Sequence, residues 1–265
     1  MRPDAHELKR FYRSPLGRAA ARSIGVGLSR VWRPLPNERL AGLGYALPWL
    51  DVLGTRTERT LALMPAEQGA RRWPTGGQSR TAIVSEADLP FPDAALDRML
   101  LVHALEHSRD PVETLREAYR ALAANGRIVV VVPHRRGVWA RLDHTPFGTG
   151  RPWSRGQLTR ALEDAEFAVA DFNDALMFPP MPWAWALKAA PALDWAGRKA
   201  FSTFSGAIVA VGAKRGSAGL PARARAVRKM MPAGAPAAAA VPAGASVPAG
   251  GPIPGGGATI RQDTI

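Results

Sequence analysis

The sequence predicts an α/β fold: an open, mostly parallel sheet with helices on both faces. Three observations carry that expectation. Residues 128–132 read Ile-Val-Val-Val-Val, the continuous β-branched run of a strand covered on both faces. Residues 96–102 form a second apolar run of strand length. Between them, residues 111–123 show helical spacing. Asp110 is the predicted N-cap, Pro111 takes the first helical position and Asn125-Gly126 ends the helix. Strand, helix and strand in that order make one βαβ unit, and such sheets hold ligands just past the carboxyl ends of their strands.

The remaining elements follow in chain order. Residues 4–33 place apolar side chains at roughly helical spacing with arginines between, interrupted at Pro15 and Gly17, which predicts one or two amphipathic helices packed on the main domain. A helix lying on a membrane surface is the alternative for that segment. Residues 40–47 are read as strand one and its turn, 60–64 as strand two, 81–84 as strand three, 96–102 as strand four and 128–132 as strand five. Residues 134–153 are expected to form a long loop rich in Arg, Gly and Pro. Ser154 is expected to cap a helix running to about residue 165. Residues 167–172 and 206–212 are strands six and seven. A rigid apolar loop at 178–183 and a helix through about residue 199 lie between them. The expected domains are a helical segment at 1–37, the α/β domain at 38–215 and a basic Ala/Pro/Gly-rich tail at 216–265. That tail carries too little apolar surface to offset its ordering entropy and is predicted to be disordered.

Composition narrows the chemistry. The 265 residues contain no cysteine, which excludes disulfides, thiolate metal sites and cysteine nucleophiles. The first ten residues are charged and lack an apolar core segment, so no secretory signal is expected. The longest apolar runs are strand-length, and a cytoplasmic protein follows. Net charge is +13, concentrated at the ends. Residues 1–33 hold eight Lys/Arg against two acids, residues 214–265 hold seven against one, and the middle is close to balanced. Basic ends predict weak contact with anionic surfaces, lipid or nucleic acid. No basic patch interleaved with aromatics marks a specific nucleic-acid site.

The segment 88–133 carries the chemistry. It contains Leu89-Pro90-Phe91-Pro92-Asp93, Leu96-Asp97, His103 with Leu105-Glu106-His107, Asp110-Pro111, Leu115-Arg116-Glu117, Arg120-Ala121-Leu122 and Gly126-Arg127. In order and spacing it resembles the class I S-adenosylmethionine-dependent methyltransferases, in the branch with a type 11-like domain. The resemblance covers about residues 38–213. It implies a Rossmann-like seven-stranded sheet, S-adenosyl-L-methionine as cofactor and transfer of a methyl group to a small-molecule acceptor.

The resemblance also assigns site residues. The glycine-rich turn after strand one falls on 40–48. Gly44 stands at its first glycine, Ala46 and Pro48 replace the next two, and Gly42 stands where the family carries an acid. Met64 occupies the place of the acid that binds the ribose hydroxyls, and a thioether cannot accept two hydroxyl bonds. Glu67 is the alternative, one helical turn on. Glu86 is the candidate for the adenine amine, with Ser85 in its place if the register differs by one, and His103 lies beside the methyl-transfer position. The cofactor residues implied are thus Gly42, Gly44, Ala46, Glu86 and His103. No catalytic base is assigned, because the sulfonium is itself a strong electrophile. His134, Arg135, Arg136, Trp139, His144, Arg151 and Trp153 are read as a substrate-facing lid or as ordinary basic surface. Two further readings stand beside the enzyme. One is a degenerate relative with weakened cofactor binding that serves as a binding module. The other is a zinc hydrolase, since His103-x-x-Glu106-His107 matches the inverted zinc-peptidase pattern. Zinc would need those residues on one continuous helix.

Overall fold

The computed structural model describes residues 2–32, 36–200 and 205–214. The strands are β1 (Arg39–Gly44), β2 (Arg59–Pro65), β3 (Thr81–Val84), β4 (Leu96–Val102), β5 (Leu122–Pro133), β6 (Phe167–Ala175) and β7 (Ala207–Lys214). They form one sheet in the order β3-β2-β1-β4-β5-β7-β6. The first five run parallel, and β7 is antiparallel to both β5 and β6. The strand order reverses between β1 and β4, so the crevice opens past Gly44 and Val102.

Among the described residues, six α-helices cover the sheet: α1 (Ala5–Arg13), α2 (Pro15–Val31), α3 (Leu47–Leu53), α4 (Pro111–Ala121), α5 (Arg155–Asp164) and α6 (Ala184–Ala200). Successive strand residues point to opposite faces, and β5 divides accordingly. Val129 and Val131 pack under α1–α3 and α6, with Leu8, Ile24, Leu28 and Trp49. Ile128, Val130 and Val132 pack against α4 and α5, with Leu115, Leu158 and Leu162. Each such side chain buried contributes about 1.5–3 kcal/mol.

The expected boundaries hold to within a few residues, with two informative departures. β1 stops at Gly44, where φ is +86°, and α3 begins three residues on with Pro48 in its first turn. β5 starts at Leu122, directly after α4, and a register shift between Leu96 and Arg98 accommodates the added length. The predicted amino-terminal caps are present, whereas α4 ends at Ala121 and the expected stop, Asn125-Gly126, lies inside β5. The Asp110 carboxylate accepts from the amides of Val112 and Glu113, both at 3.0 Å. Ser154 and Gln157 close a capping box.

The amino-terminal segment forms two helices. Ser14 ends α1 and caps α2, and Pro15 and Gly17 make the corner. A Cβ at Gly17 would sit 1.9 Å from the Phe11 carbonyl oxygen. The predicted tail lies outside the described residues.

Candidate active site

The crevice is built from the turns after β1 and β4. Gly44 brings these turns together, since a Cβ there would lie 2.2 Å from the Val102 carbonyl oxygen. The next amide, Tyr45, donates to that same oxygen at 2.7 Å. Gly42 has a packing role: a Cβ on it would meet the Ala46 methyl at 2.7 Å and Leu50 at 2.8 Å, so its absence lets α3 dock on β1. Ala46 is the N-cap residue of α3 and is buried.

His103 is the first residue past β4. It is buried and takes the left-handed conformation, φ +53°, uncommon for a residue with a Cβ and a frequent mark of functional sites. Its Nε2 lies 2.7 Å from the Tyr12 hydroxyl, and its Nδ1 lies 3.0 Å from Glu106 Oε1. Burial raises the Tyr12 phenol well above its ordinary range, so it stays protonated. It therefore donates to Nε2, which leaves Nδ1–H to donate to Glu106. The result is a buried chain of three groups running from α1 into the crevice floor.

Tyr12 also stacks on Tyr45, with ring centroids 5.7 Å apart and planes 6° from parallel, and meets Trp49 edge-on. Burial pushes the Tyr45 phenol up to about 12. Phe147 closes the third side, 4.9 Å from the His103 ring. The space between the β1 turn and His103 thus contains a ring supplied by the chain's own first helix.

A second anchor lies at the ends of β2 and β3. Arg2 Nη2 donates to both oxygens of Glu86 at 2.8 Å. Burial raises the Glu86 carboxyl, and Arg2 opposes that shift. Beside this pair is a cavity of about 380 Å³, lined by Pro65, Val84, Glu86, His107 and Asp110 among others. It sits past three strand ends, as an α/β ligand site should.

Met64 is fully buried, and its sulfur accepts from the Arg71 amide at 3.2 Å. Glu67 is half-exposed, pairs with Arg109 at 2.7 Å and lines the cavity beside Glu86. Several buried polar atoms in the segments flanking the crevice have no protein partner: Arg2 Nε, both amide atoms of Gln68, Glu106 Oε2 and His107 Nε2. Sequence reasoning missed Arg2, Tyr12 and Gln68. The first two act across more than 80 residues of chain, and no local pattern marks such a contact.

The expected lid divides. Trp139 is buried and donates to the Phe178 carbonyl oxygen. His134 is buried, bonds Ser205 and is held below its ordinary range by burial. His144 lines a separate cavity of about 500 Å³ between α1 and the 143–149 loop. The zinc arrangement is absent among the described residues. The His103-x-x-Glu106-His107 stretch is a turn after a strand, and no group of three or more possible metal-binding side chains occurs.

Comparison with known proteins places this geometry. Residues 40–130 match the family model of a methyltransferase domain. Over that stretch the chain resembles the S-adenosylmethionine-dependent methyltransferases, and the cofactor the match indicates is S-adenosylmethionine. A probable S-adenosylmethionine-dependent methyltransferase of Mycolicibacterium smegmatis is 34% identical over 87 residues, 32% of this chain and 34% of that protein. Ajmaline N-methyltransferase of Rauvolfia serpentina is 38% identical over 47 residues, 18% of this chain and 16% of that protein. The chain therefore spans only about a third, or about a sixth, of the curated relatives it matches. Among solved structures, a methyltransferase of Thermotoga maritima described as a possible histamine N-methyltransferase superposes with a TM-score of 0.53. It is 17% identical, over 79% of this chain and 96% of that one.

The residues present fit the cofactor at one end of the crevice and not at the other. The cavity beside Glu86, with its orphaned polar neighbours, suits a polar aromatic group. At the ribose and methionine end, Met64 offers no acceptor and the Tyr12 ring fills the space.

Proposed function

We propose that the chain is an S-adenosylmethionine-dependent methyltransferase with a small-molecule acceptor, and that α1 caps its cofactor crevice. The single observation that carries this reading is that Glu86 and His103, just past the ends of β3 and β4, are each held by a residue of the amino-terminal segment, Arg2 and Tyr12. When bound, the cofactor supplies an electrophilic methyl group on sulfur. The chain's own residues exclude water and hold the partners. Phe147 and Tyr12 dry the crevice, and the Tyr12–His103–Glu106 chain fixes the position of one proton.

Gly42 and Gly44 act by shaping the turn and Ala46 by starting α3, with Glu86 at the adenine end. The acceptor reading is supported by the cavity of about 500 Å³ next to the crevice, lined by Arg10, Phe11, Asp143 and His144. Such a volume suits a small molecule. A relative named for N-methylation of ajmaline points the same way.

The test is calorimetric titration of the full chain with S-adenosylmethionine and S-adenosylhomocysteine, followed by methyl transfer from labelled cofactor to a panel of amines, phenols and acids. Binding that Glu86→Gln weakens supports the assignment. Absence of binding at millimolar ligand, both in the full chain and after Tyr12→Ala, would replace the enzyme by a binding module built on the same fold.

A further inference from the structure

Three of the chain's eight tryptophans stand in solvent, and all three fall within thirteen residues. Trp183, Trp185 and Trp195 are 54%, 63% and 59% exposed. Indoles are usually highly buried in soluble proteins, so this concentration of exposed indole surface is unusual. Trp185, Lys188, Ala192 and Trp195 follow one another at helical spacing along the exposed side of α6. Ten residues at 1.5 Å each set the two indoles about 15 Å apart along the axis. Trp183 extends the stripe, its ring 5.8 Å from that of Trp185.

The neighbouring helix supplies the charge. α2 packs beside α6 and carries Arg18, Arg22 and Arg30 on its exposed side, with no acidic residue anywhere along it. The one acid described on α6, Asp194, is buried and accepts from the Met177 amide. Between the helices runs an apolar groove of about 440 Å³, lined by Val26, Phe178, Leu187 and Ala190 among others.

We infer that the α2–α6 layer is a docking surface for an anionic lipid bilayer. Indoles are the side chains that settle at the level of lipid headgroups. Arginine and lysine carry charge to phosphate while their stems lie along apolar surface. A helix pair with cations, exposed aromatics and no exposed acid lies on a membrane without crossing it, and no described helix is long and apolar enough to cross one. Charge complementarity selects an anionic partner. The groove is mostly apolar, with Arg22 among its lining residues, and that pairing of acyl-compatible surface with a cation favours lipid over nucleic acid. The inference is independent of the catalytic reading, and its test uses no methyl transfer.

The experiment is co-sedimentation of the full chain with vesicles of phosphatidylcholine alone, or with about one-third phosphatidylserine, at about 0.1 M salt. The chain pellets with the anionic vesicles and stays in solution with the neutral ones. The Trp185→Ser/Trp195→Ser variant and the Arg22→Glu/Lys188→Glu variant each lower the partition coefficient about tenfold or more, with melting temperatures within a few degrees of the parent. Failure to pellet with phosphatidylserine would overturn the inference. So would pelleting that the indole variant leaves unchanged, which would assign the binding to the basic ends alone. If both variants instead abolish capture of a single-stranded RNA oligonucleotide and spare vesicle binding, the surface belongs to nucleic acid.

Discussion

Replacing Tyr12 with Phe removes one oxygen and separates stability from access. In the folded chain that hydroxyl donates to His103 Nε2 at 2.7 Å, and both residues are buried. Phe keeps the stacking on Tyr45 and leaves Nε2 with no partner on that side. Orphaning a buried acceptor costs about 1–3 kcal/mol. For a domain of this size each kcal/mol lowers the melting temperature by about 2–4 °C, so the drop is about 2–12 °C. If α1 must withdraw before the cofactor enters, the same loss makes withdrawal easier. Apparent affinity for S-adenosylhomocysteine then rises, by up to about fivefold to 150-fold for those energies. Thermal melting and isothermal titration calorimetry, run on the same preparation, read the two effects. A lower melting temperature with unchanged or weaker binding would refute the idea that α1 limits access. An unchanged melting temperature would refute the hydrogen bond itself.

Other outcomes follow from the same geometry. His107 is largely buried, and burial lowers its pKa from 6.5 to about 4. The folded state therefore prefers the neutral ring, and the stability present above pH 6.5 is lost as pH falls toward 4. At about 1.4 kcal/mol per unit, reduced because the ring is partly wet, the loss is about 1–3 kcal/mol. Urea unfolding at pH 7 and pH 4.5 measures it, and His107→Asn flattens the difference. Gly44→Ala combines a φ of +86° with a Cβ 2.2 Å from the Val102 oxygen. It should cost about 2–5 kcal/mol of stability, from strain and overpacking together. A melting temperature within a few degrees of the parent would count against this turn. Met64→Leu should cost less than about 1.5 kcal/mol. Met64→Asp buries a carboxyl and should cost several times that, so any gain in ribose binding comes on a weakened fold; chemical denaturation compares the two.

The sheet was legible because each element announces itself over a short stretch. The Ile-Val-Val-Val-Val run of β5, Asp110-Pro111 at the start of α4 and Ser154 at the start of α5 are local signals, and the structure has them where expected. The crevice was legible only in part. Glu86 and His103 could be placed because they sit at strand ends, and strand ends follow from the pattern. Their partners could not, since Arg2–Glu86 and Tyr12–His103 join residues 84 and 91 positions apart. The glycines misdirect for a related reason. Gly42 and Gly44 look like openings for a ligand, yet the space their missing Cβ atoms leave is taken by Leu50 and by the β4 backbone. Sequence reveals that a backbone must come close to something, and only the fold reveals to what.

The direction of β7 has a consequence for how such a chain can change. β6 is parallel to β5 and ends at the crevice edge of the sheet. β7 begins at that same edge, because it runs the opposite way between them. A parallel last strand would oblige the intervening chain to travel the full height of the sheet before pairing. Here the stretch between Ala175 and Ala207 begins and ends on one rim, relieved of any crossing duty. Its length is therefore a free variable. It can gain or lose turns of helix without shifting a single register pair, and whatever it gains is deposited beside the mouth of the crevice. Variation in what this framework handles has an inexpensive place to accumulate, well away from the strands that must stay constant.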